Sequence, residues 1–483
     1  MHVVDMVFYW AKADPHRPAL IQPEMVTDYQ GLADAIESIG DRIERLGLDR
    51  REPVGVSLAN PSFFIATVFA LWRHGYSVAL VTPALFPLLQ PAGIRNLIYD
   101  TQGQMLSGGR NIRFDMSWLP TADPQAARQP YRAHPAKDVD MICFTSGTTG
   151  LPKKIVQAKA ALDELLRYPV TCASGNHQKI LIMPGLASTF GFNRVCEVLN
   201  VGKTACFAQG GETVLSLIGA FGIEFVIASA SQALALAEAR TKNPGYQLDS
   251  LKAILVGGGK VSPEGMAGIG AALCRNVVSQ YGSTEGGVVA LAPFDAIAGI
   301  PGAIGFVLPW CDLQIVDETN RQLQGGAEGL IRYRTPQLIA NLNRAGSEIL
   351  PGVRDGWFYP GDIGSLTADG VLCLTGRSSD VINRGGFKVS GTKIEEILQA
   401  LPNIREAAAC GVAASSGLEE IWIAVVADGP VDVEQIRRTL REHRDVRVAP
   451  DEVLALDALP RGDLGKVQKY RLKEMMLNLK KGA

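Results

Sequence analysis

No two cysteines in this chain are spaced as C-x-x-C, and its six histidines do not cluster. Neither a zinc site nor a thioredoxin-like dithiol is indicated. The eight cysteines (143, 172, 196, 206, 274, 311, 373 and 410) are scattered, as expected of reduced, mostly buried thiols in a cytoplasmic protein. An excess of one charge is also missing. Forty-seven basic residues against 49 acidic ones give a formal net charge of −2, so no global field draws nucleic acid or an anionic membrane. Long apolar runs are absent as well. The run 63–72 is about half the length a bilayer needs, and 217–237, interrupted by Gly222, Glu224 and several serines, reads as strand, loop and helix. The beginning, MHVVDMVFYWAKADPHRP, lacks a basic region followed by a long apolar core, so no signal peptide is expected. There is no internal repeat or low-complexity tract, and the mildly basic end, LNLKKGA, reads as a frayed tail.

What is present is a large amount of core-forming sequence. The 483 residues are 47% hydrophobic and 20% charged, more chain than one core usually serves, so two or more domains are expected. Many of the 51 glycines fall in short clusters, which suggests loops lined by backbone. Apolar runs of strand length alternate with helical stretches. PVGVSLAN (53–60) predicts a strand and PSFFIATVFALWRHG (61–75) a helix ending at glycine; SVALVTP, DMICFTS, KILIMPG, EFVIASAS and LKAILVGGG are further β-rich runs. That alternation predicts an α/β fold of layered, mainly parallel sheets. After about residue 300 short strands separated by turns (DLQIVDE, EGLIRYR, GWFYPGDIGSL, VLCLTGR) suggest a small antiparallel β-subdomain. From about 378 a smaller α/β unit follows, which places a domain boundary at 377–380 and gives domains 1–377 and 378–483.

Four loops carry chemical possibilities. The first, TSGTTGLPKK (145–154), follows a β-rich run with Thr145, Ser146, Gly147, Thr148, Thr149 and Gly150, then Lys153. Glycines expose backbone N–H groups, and hydroxyls and a lysine add donors, a combination suited to a polyphosphate. It lacks the Walker A spacing, and a plain Gly/Ser/Thr turn is the alternative. In the second, QYGSTEGG (280–287), Tyr281 offers a flat face for a purine and Glu285 a carboxylate for Mg²⁺; the alternative is a polar turn between strands. In the third, 357–396, Asp362 sits on a glycine turn where it can accept from both hydroxyls of a ribose, and Arg377 and Lys388 are cations near the expected domain boundary; the alternative is a hairpin and a solvated hinge. In the fourth, LPRGDLGKVQKYRL (459–472), Lys466 stands on a glycine-flanked turn, where one exposed lysine is commonly only a solvated charge.

The four loops in this order, together with PALIQ, Tyr29 before a helix, VGGGKVSPE and GAIGFVLPWCDLQIVD, resemble the adenylate-forming superfamily of acyl- and aryl-CoA synthetases, peptide-synthetase adenylation domains and beetle luciferases. The resemblance covers nearly the whole chain and runs closest to AMP-dependent acid–CoA ligases. It implies that the 145–153 loop wraps the β- and γ-phosphates, that Gly257, Gly258 and Gly259 line an adenine pocket, and that Tyr281 stacks on adenine within Gly282, Ser283 and Thr284. It further implies that Thr284 contacts the α-phosphate, Glu285 binds Mg²⁺, Asp362 holds the ribose with support from Arg377, and Lys466 bridges acid and α-phosphate. Thr145, Glu285 and Lys466 are then the catalytic set, while Gly385, Gly386 and Lys388 lie on the loop that turns over the site for the thiol half-reaction. The implied reaction joins a carboxylic acid to a thiol through an acyl-adenylate, using ATP, Mg²⁺ and coenzyme A.

Four features depart from the family pattern: Ser379 at the hinge, Pro360 before Gly361-Asp362, the pair Phe387 and Lys388 after Gly386, and a segment 183–193 without histidine. They leave the acid and the acceptor open. A stand-alone enzyme loading a carrier protein's phosphopantetheine is the alternative, a non-catalytic nucleotide-binding relative a more remote one, and no residue specifically supports a luciferase-like oxygenase. Acid-pocket residues are expected around 184–194, 229–234 and 281–290.

Overall fold

The structure is a computed structural model that describes residues 3–100, 106–120, 139–145, 153–167, 175–344, 350–384, 387–413, 419–443, 446–461 and 467–482. Two large sheets dominate it. In the first, strands Arg110–Arg113, Asn96–Tyr99, Val54–Ser57, Val78–Leu80 and Asp140–Thr145 run parallel, and Lys153–Ala158 closes the edge antiparallel. The second begins as a parallel series, Pro18–Gln22, Thr204–Cys206, Lys179–Ile182, Phe225–Ser229, Ala253–Gly257 and Val277–Ser283. Runs such as FVIAS and AILVG are buried at every position because helices cover both faces, which is why they read as unbroken apolar segments.

Four helices, Val3–Ala13, Tyr29–Leu46, Pro61–Arg73 and Thr189–Asn200, contribute to one apolar core shared with strands of both sheets. A second core on the outer face of the larger sheet takes residues from helices Gly211–Phe221, Ala230–Lys242 and Pro263–Ala272. The segment 217–237 therefore differs from its sequence reading. Residues 217–221 end a helix, Gly222 turns the chain with φ 62°, and strand Phe225–Ser229 runs straight into the next helix. No described helix is long and apolar enough to cross a membrane.

The antiparallel region starts earlier than the change in sequence pattern near 300. Strand Gly287–Pro293 already folds back on Val277–Ser283, and Ala303–Val307, Val371–Arg377, Asp362–Leu366 and Gly329–Arg334 continue the same sheet. What reads as a separate subdomain is hydrogen-bonded into the parallel sheet. Beyond it, hairpin Val381–Arg384/Phe387–Ser390, helix Gly391–Gln399 and the three-stranded sheet Ile404–Ala413, Glu419–Ala427, Glu452–Ala455 build two cores that draw on residues from 382 onward. Of the seven described cysteines none is in a disulfide; Cys143, Cys196, Cys206, Cys373 and Cys410 are buried.

One close approach fixes the entry to the site. Ser188 caps helix Thr189–Asn200 by accepting from the Gly191 N–H, and a Cβ on Gly191 would stand 2.4 Å from both the Pro184 and Gly185 carbonyl oxygens. Backbone cannot yield as a side chain can, so Gly191→Ala should destabilise by about 1–3 kcal/mol. A lower thermal midpoint tests this; an unchanged one means that the 183–188 segment shifts freely.

Candidate functional site

A cleft of about 2370 Å³ opens where the ends of the parallel strands meet the antiparallel strands and the C-terminal part of the chain. Lys153, Gly258, Gly259, Tyr281, Gly282, Ser283, Thr284, Glu285, Asp362 and Arg377 all line it. These residues span more than two hundred sequence positions, and the strand ends bring them together. Asp362 and Arg377 are register partners at the ends of adjacent antiparallel strands. That pairing delivers the Arg377 Nε–H to Asp362 Oδ1 at 2.8 Å, while the Tyr281 hydroxyl donates to Oδ2 at 2.5 Å. Asp362 is only 5% exposed, so a buried anion is held from two sides with lone pairs left to accept from a ligand. Burial pushes the Tyr281 phenol well above its ordinary range, and the Asp362 charge adds to this. Burial works against the Arg377 cation, but Asp362, with Asp380 and Tyr281, more than offsets it and the guanidinium titrates higher than usual.

The turn after Tyr281 is tied down in three places. The Ser283 hydroxyl accepts from the Gly286 N–H at 3.0 Å, the Thr284 and Thr189 hydroxyls bond at 2.9 Å, and Gln157 Nε2 donates to the Thr284 carbonyl at 2.6 Å. Gln157 lies on strand Lys153–Ala158, whose first residue pairs with Thr145, so the tie connects the second loop to the strand that leaves the first. Ser146, Gly147, Thr148, Thr149 and Gly150 lie outside the described residues, as does the Thr145 side chain. Glu285 within the turn has its carboxyl pKa raised by burial, with Ser283, Lys153 and Arg377 pulling the other way. A carboxylate that gives up hydration this way favours a cation.

Gly257 ends a central strand against Phe190, where a Cβ would lie 3.1 Å from the ring; Gly258 has φ 73°, and a Cβ on Gly259 would approach Ala230 to 3.2 Å. The three glycines thus leave a thin backbone wall. Leu186, Ala187, Ser188 and Thr189 line the cleft beside it, whereas no residue of 229–234 does. Ser229 and Gln232 instead form a capping box, and Gln232 Nε2 donates to the Met183 carbonyl.

The opposite wall comes from the C-terminal part, with Arg461, Val467, Gln468 and Lys469 on the cleft. Lys466, Gly385 and Gly386 lie outside the described residues, as does the side chain of Lys388, whose backbone pairs with Asn383. Sequence reading missed Lys469. Its ammonium sits 2.9 Å from Asp380 Oδ2 and 2.8 Å from Glu395 Oε1, and although burial works against the cation, the two carboxylates hold it above its ordinary pKa. Asp380 belongs to the turn Ser378–Asp380 that contains Ser379, so this ion cluster fixes the connection between the large sheet and the C-terminal elements. Lys260 adds a second link, 2.6 Å from Glu396.

The sequence profile of the family described as AMP-binding enzyme matches residues 7–341. An indoleacetate–CoA ligase of Aromatoleum aromaticum is 28% identical over 99% of this chain and 98% of its own length. A 2-succinylbenzoate–CoA ligase of Bacillus licheniformis is 25% identical, over 96% of this chain and 98% of its own. The structure of o-succinylbenzoate coenzyme A synthetase from Bacillus subtilis, in complex with ATP and magnesium ion, superposes with a TM-score of 0.81 at 20% identity and covers 97% of this chain and 99% of that one.

Proposed function

The chain belongs to the AMP-binding enzyme family, and from that premise we propose that it activates a carboxylic acid with ATP and transfers the acyl group to coenzyme A. The observation that carries this reading is the Asp362 carboxylate, clamped by Arg377 and Tyr281 in the same cleft as Thr284 and Glu285. The CoA-ligase names of relatives aligned along nearly the whole chain support the thiol as acceptor.

Residues 1–377 bind ATP and the acid, and residues 378–483 form a smaller unit that turns relative to them. Asp362 accepts from the ribose hydroxyls, Tyr281 and the backbone of Gly257, Gly258 and Gly259 flank the adenine, and Thr284 touches the α-phosphate. Thr145, Ser146, Gly147, Thr148, Thr149, Gly150 and Lys153 surround the β- and γ-phosphates. The acid's carboxylate oxygen attacks the α-phosphorus as the bond to pyrophosphate breaks; Lys466 then neutralises the charge on the phosphoryl oxygens. The coenzyme A thiol next attacks the acyl carbon and AMP departs, with Gly385, Gly386 and Lys388 on the thiol side. Magnesium fits Glu285, an oxygen donor partly stripped of water by burial. When bound, it supplies positive charge to the phosphates.

Acid-dependent pyrophosphate release, screened over aliphatic, branched and aromatic acids with and without coenzyme A, tests the proposal. Acyl-CoA and AMP should appear together when coenzyme A is present, and silence across the panel would overturn it. The panel also tests the acid's class. Residues 183–194 include no carboxylate, and Glu197, further along the same helix, is already paired with a buried Arg194 at 2.8 Å. An α-ammonium there would be buried unpaired, at several kcal/mol. Deaminated acids should therefore exceed their α-amino counterparts in kcat/KM by at least about tenfold; the reverse order would exclude this acid class.

A further inference from the structure

The strand carrying Tyr281 has two faces with different tasks. Side chains alternate along a strand, and the register from Val278 to Tyr281 is regular. Tyr281 and its cross-strand partner Ala290 belong with the core under the antiparallel region, the side on which Asp362 is met. Gln280 takes the other face, shared with Val278, and its cross-strand partner is Leu291. Val278 and Leu291 both pack on the core between the two sheets, as do Leu186, Ala187 and Phe190 from the segment entering helix Thr189–Asn200. Gln280, Leu186 and Ala187 all line the cleft, so its lining combines a carboxamide with apolar side chains.

That carboxamide is unspent. Its Oε1 is buried and has no hydrogen-bond partner among the described residues. The Ser188 and Thr189 hydroxyls on the cleft have other partners: Ser188 donates to the Gly185 carbonyl, and Thr189 is engaged with Thr284. A buried acceptor without a partner is costly unless a ligand satisfies it. We infer that Gln280 determines acid specificity: its side-chain oxygen accepts a hydrogen bond from a neutral O–H or N–H on the tail of the carboxylic acid, whose remaining surface is apolar. This rests on the acid-activating reading above. It adds a substrate class, acids that are mainly hydrocarbon but carry one uncharged donor away from the carboxylate.

The test compares phenylacetate with its ortho-, meta- and para-hydroxy derivatives and their methyl ethers, and hexanoate with ω-hydroxyhexanoate, in acid-dependent pyrophosphate release. With the wild-type protein, one hydroxy acid should exceed both its parent and its methyl ether in kcat/KM by roughly 10- to 100-fold. Gln280→Leu should lower activity on that hydroxy acid by about the same factor, leave the parent acid equal or better, and leave the KM for ATP unchanged. Preserved ATP affinity and thermal midpoint show that the variant is folded. If the wild type treats every pair alike, or Gln280→Leu lowers parent and hydroxy acid equally, the inference is wrong while acid activation stands. If no acid releases pyrophosphate, the proposed function falls and takes the inference with it.

Discussion

Lys466→Ala is expected to lose about 10²- to 10³-fold in acid-dependent pyrophosphate release, the usual cost of one preorganised charged donor, while still converting a supplied acyl-AMP to its thioester. The asymmetry follows from when charge develops. Negative charge builds on the α-phosphoryl oxygens as pyrophosphate departs, and a lysine ammonium there lowers that barrier. Thioester formation places its developing charge on the acyl carbon's oxygen, and a lysine turned away from the site contributes nothing to it. Val467, Gln468 and Lys469 line the cleft, and the Lys469–Asp380–Glu395 cluster anchors this stretch to the turn Ser378–Asp380, the proposed hinge. A rotation of the C-terminal part about that turn would therefore carry the whole segment with it. Both half-reactions are measured on one preparation, pyrophosphate release from acid and ATP, and thioester formation from synthetic acyl-AMP and coenzyme A. An equal loss in both would exclude a lysine that acts in adenylation alone, and Ser379, hydrogen-bonded to Asp380 in the hinge turn, becomes the next residue to change.

How much of this was legible in the sequence differed by kind of interaction. The parallel strands were, because a strand covered on both faces must be apolar throughout: FVIAS and AILVG are buried at all five positions. The helix read over 61–75 was as well; the structure starts it at Pro61, where Asn60 Oδ1 accepts from the Ser62 and Phe63 N–H groups. The start of the antiparallel region was not. Neither VVSQYGS (Val277–Ser283) nor GVVALAP (Gly287–Pro293) signals strand direction, which is set by a three-residue turn whose Ser283–Gly286 bond has no distinctive spacing. In the site, Asp362 and Glu285 stand out in the sequence as carboxylates on glycine-containing loops, and the structure brings both to one cleft. Neutral ties do not: Gln157 to Thr284, and Thr189 to Thr284, join residues 127 and 95 positions apart that no periodicity connects. Lys469 was missed for a related reason. It begins a helix as an ordinary exposed lysine would, and only the fold reveals that Asp380 and Glu395 enclose it.

Asp362→Ala is expected to weaken ATP binding by about 2–4 kcal/mol, because two ribose hydroxyls lose a shared charged acceptor. The same change should lower the thermal midpoint. Arg377 and Tyr281 both donate to this carboxylate in the structure, and without it a partly buried guanidinium loses its counter-charge. A loss of both quantities in the alanine variant thus separates nothing, and Asp362→Asn is the informative partner. Its amide keeps the volume and one oxygen, so either the Arg377 or the Tyr281 bond persists and most of the midpoint should return. The amide nitrogen, however, can only donate. One ribose hydroxyl then has no acceptor, and ATP affinity should stay at least about tenfold below wild type, the cost of a lost hydrogen bond to a charged group. If Asp362 served only to clamp the ends of strands Asp362–Leu366 and Val371–Arg377, the asparagine variant would recover affinity and midpoint together. Isothermal titration with ATP and thermal unfolding of the two variants distinguish these outcomes, since a ribose acceptor depends on two oxygens that accept and a strand clamp does not.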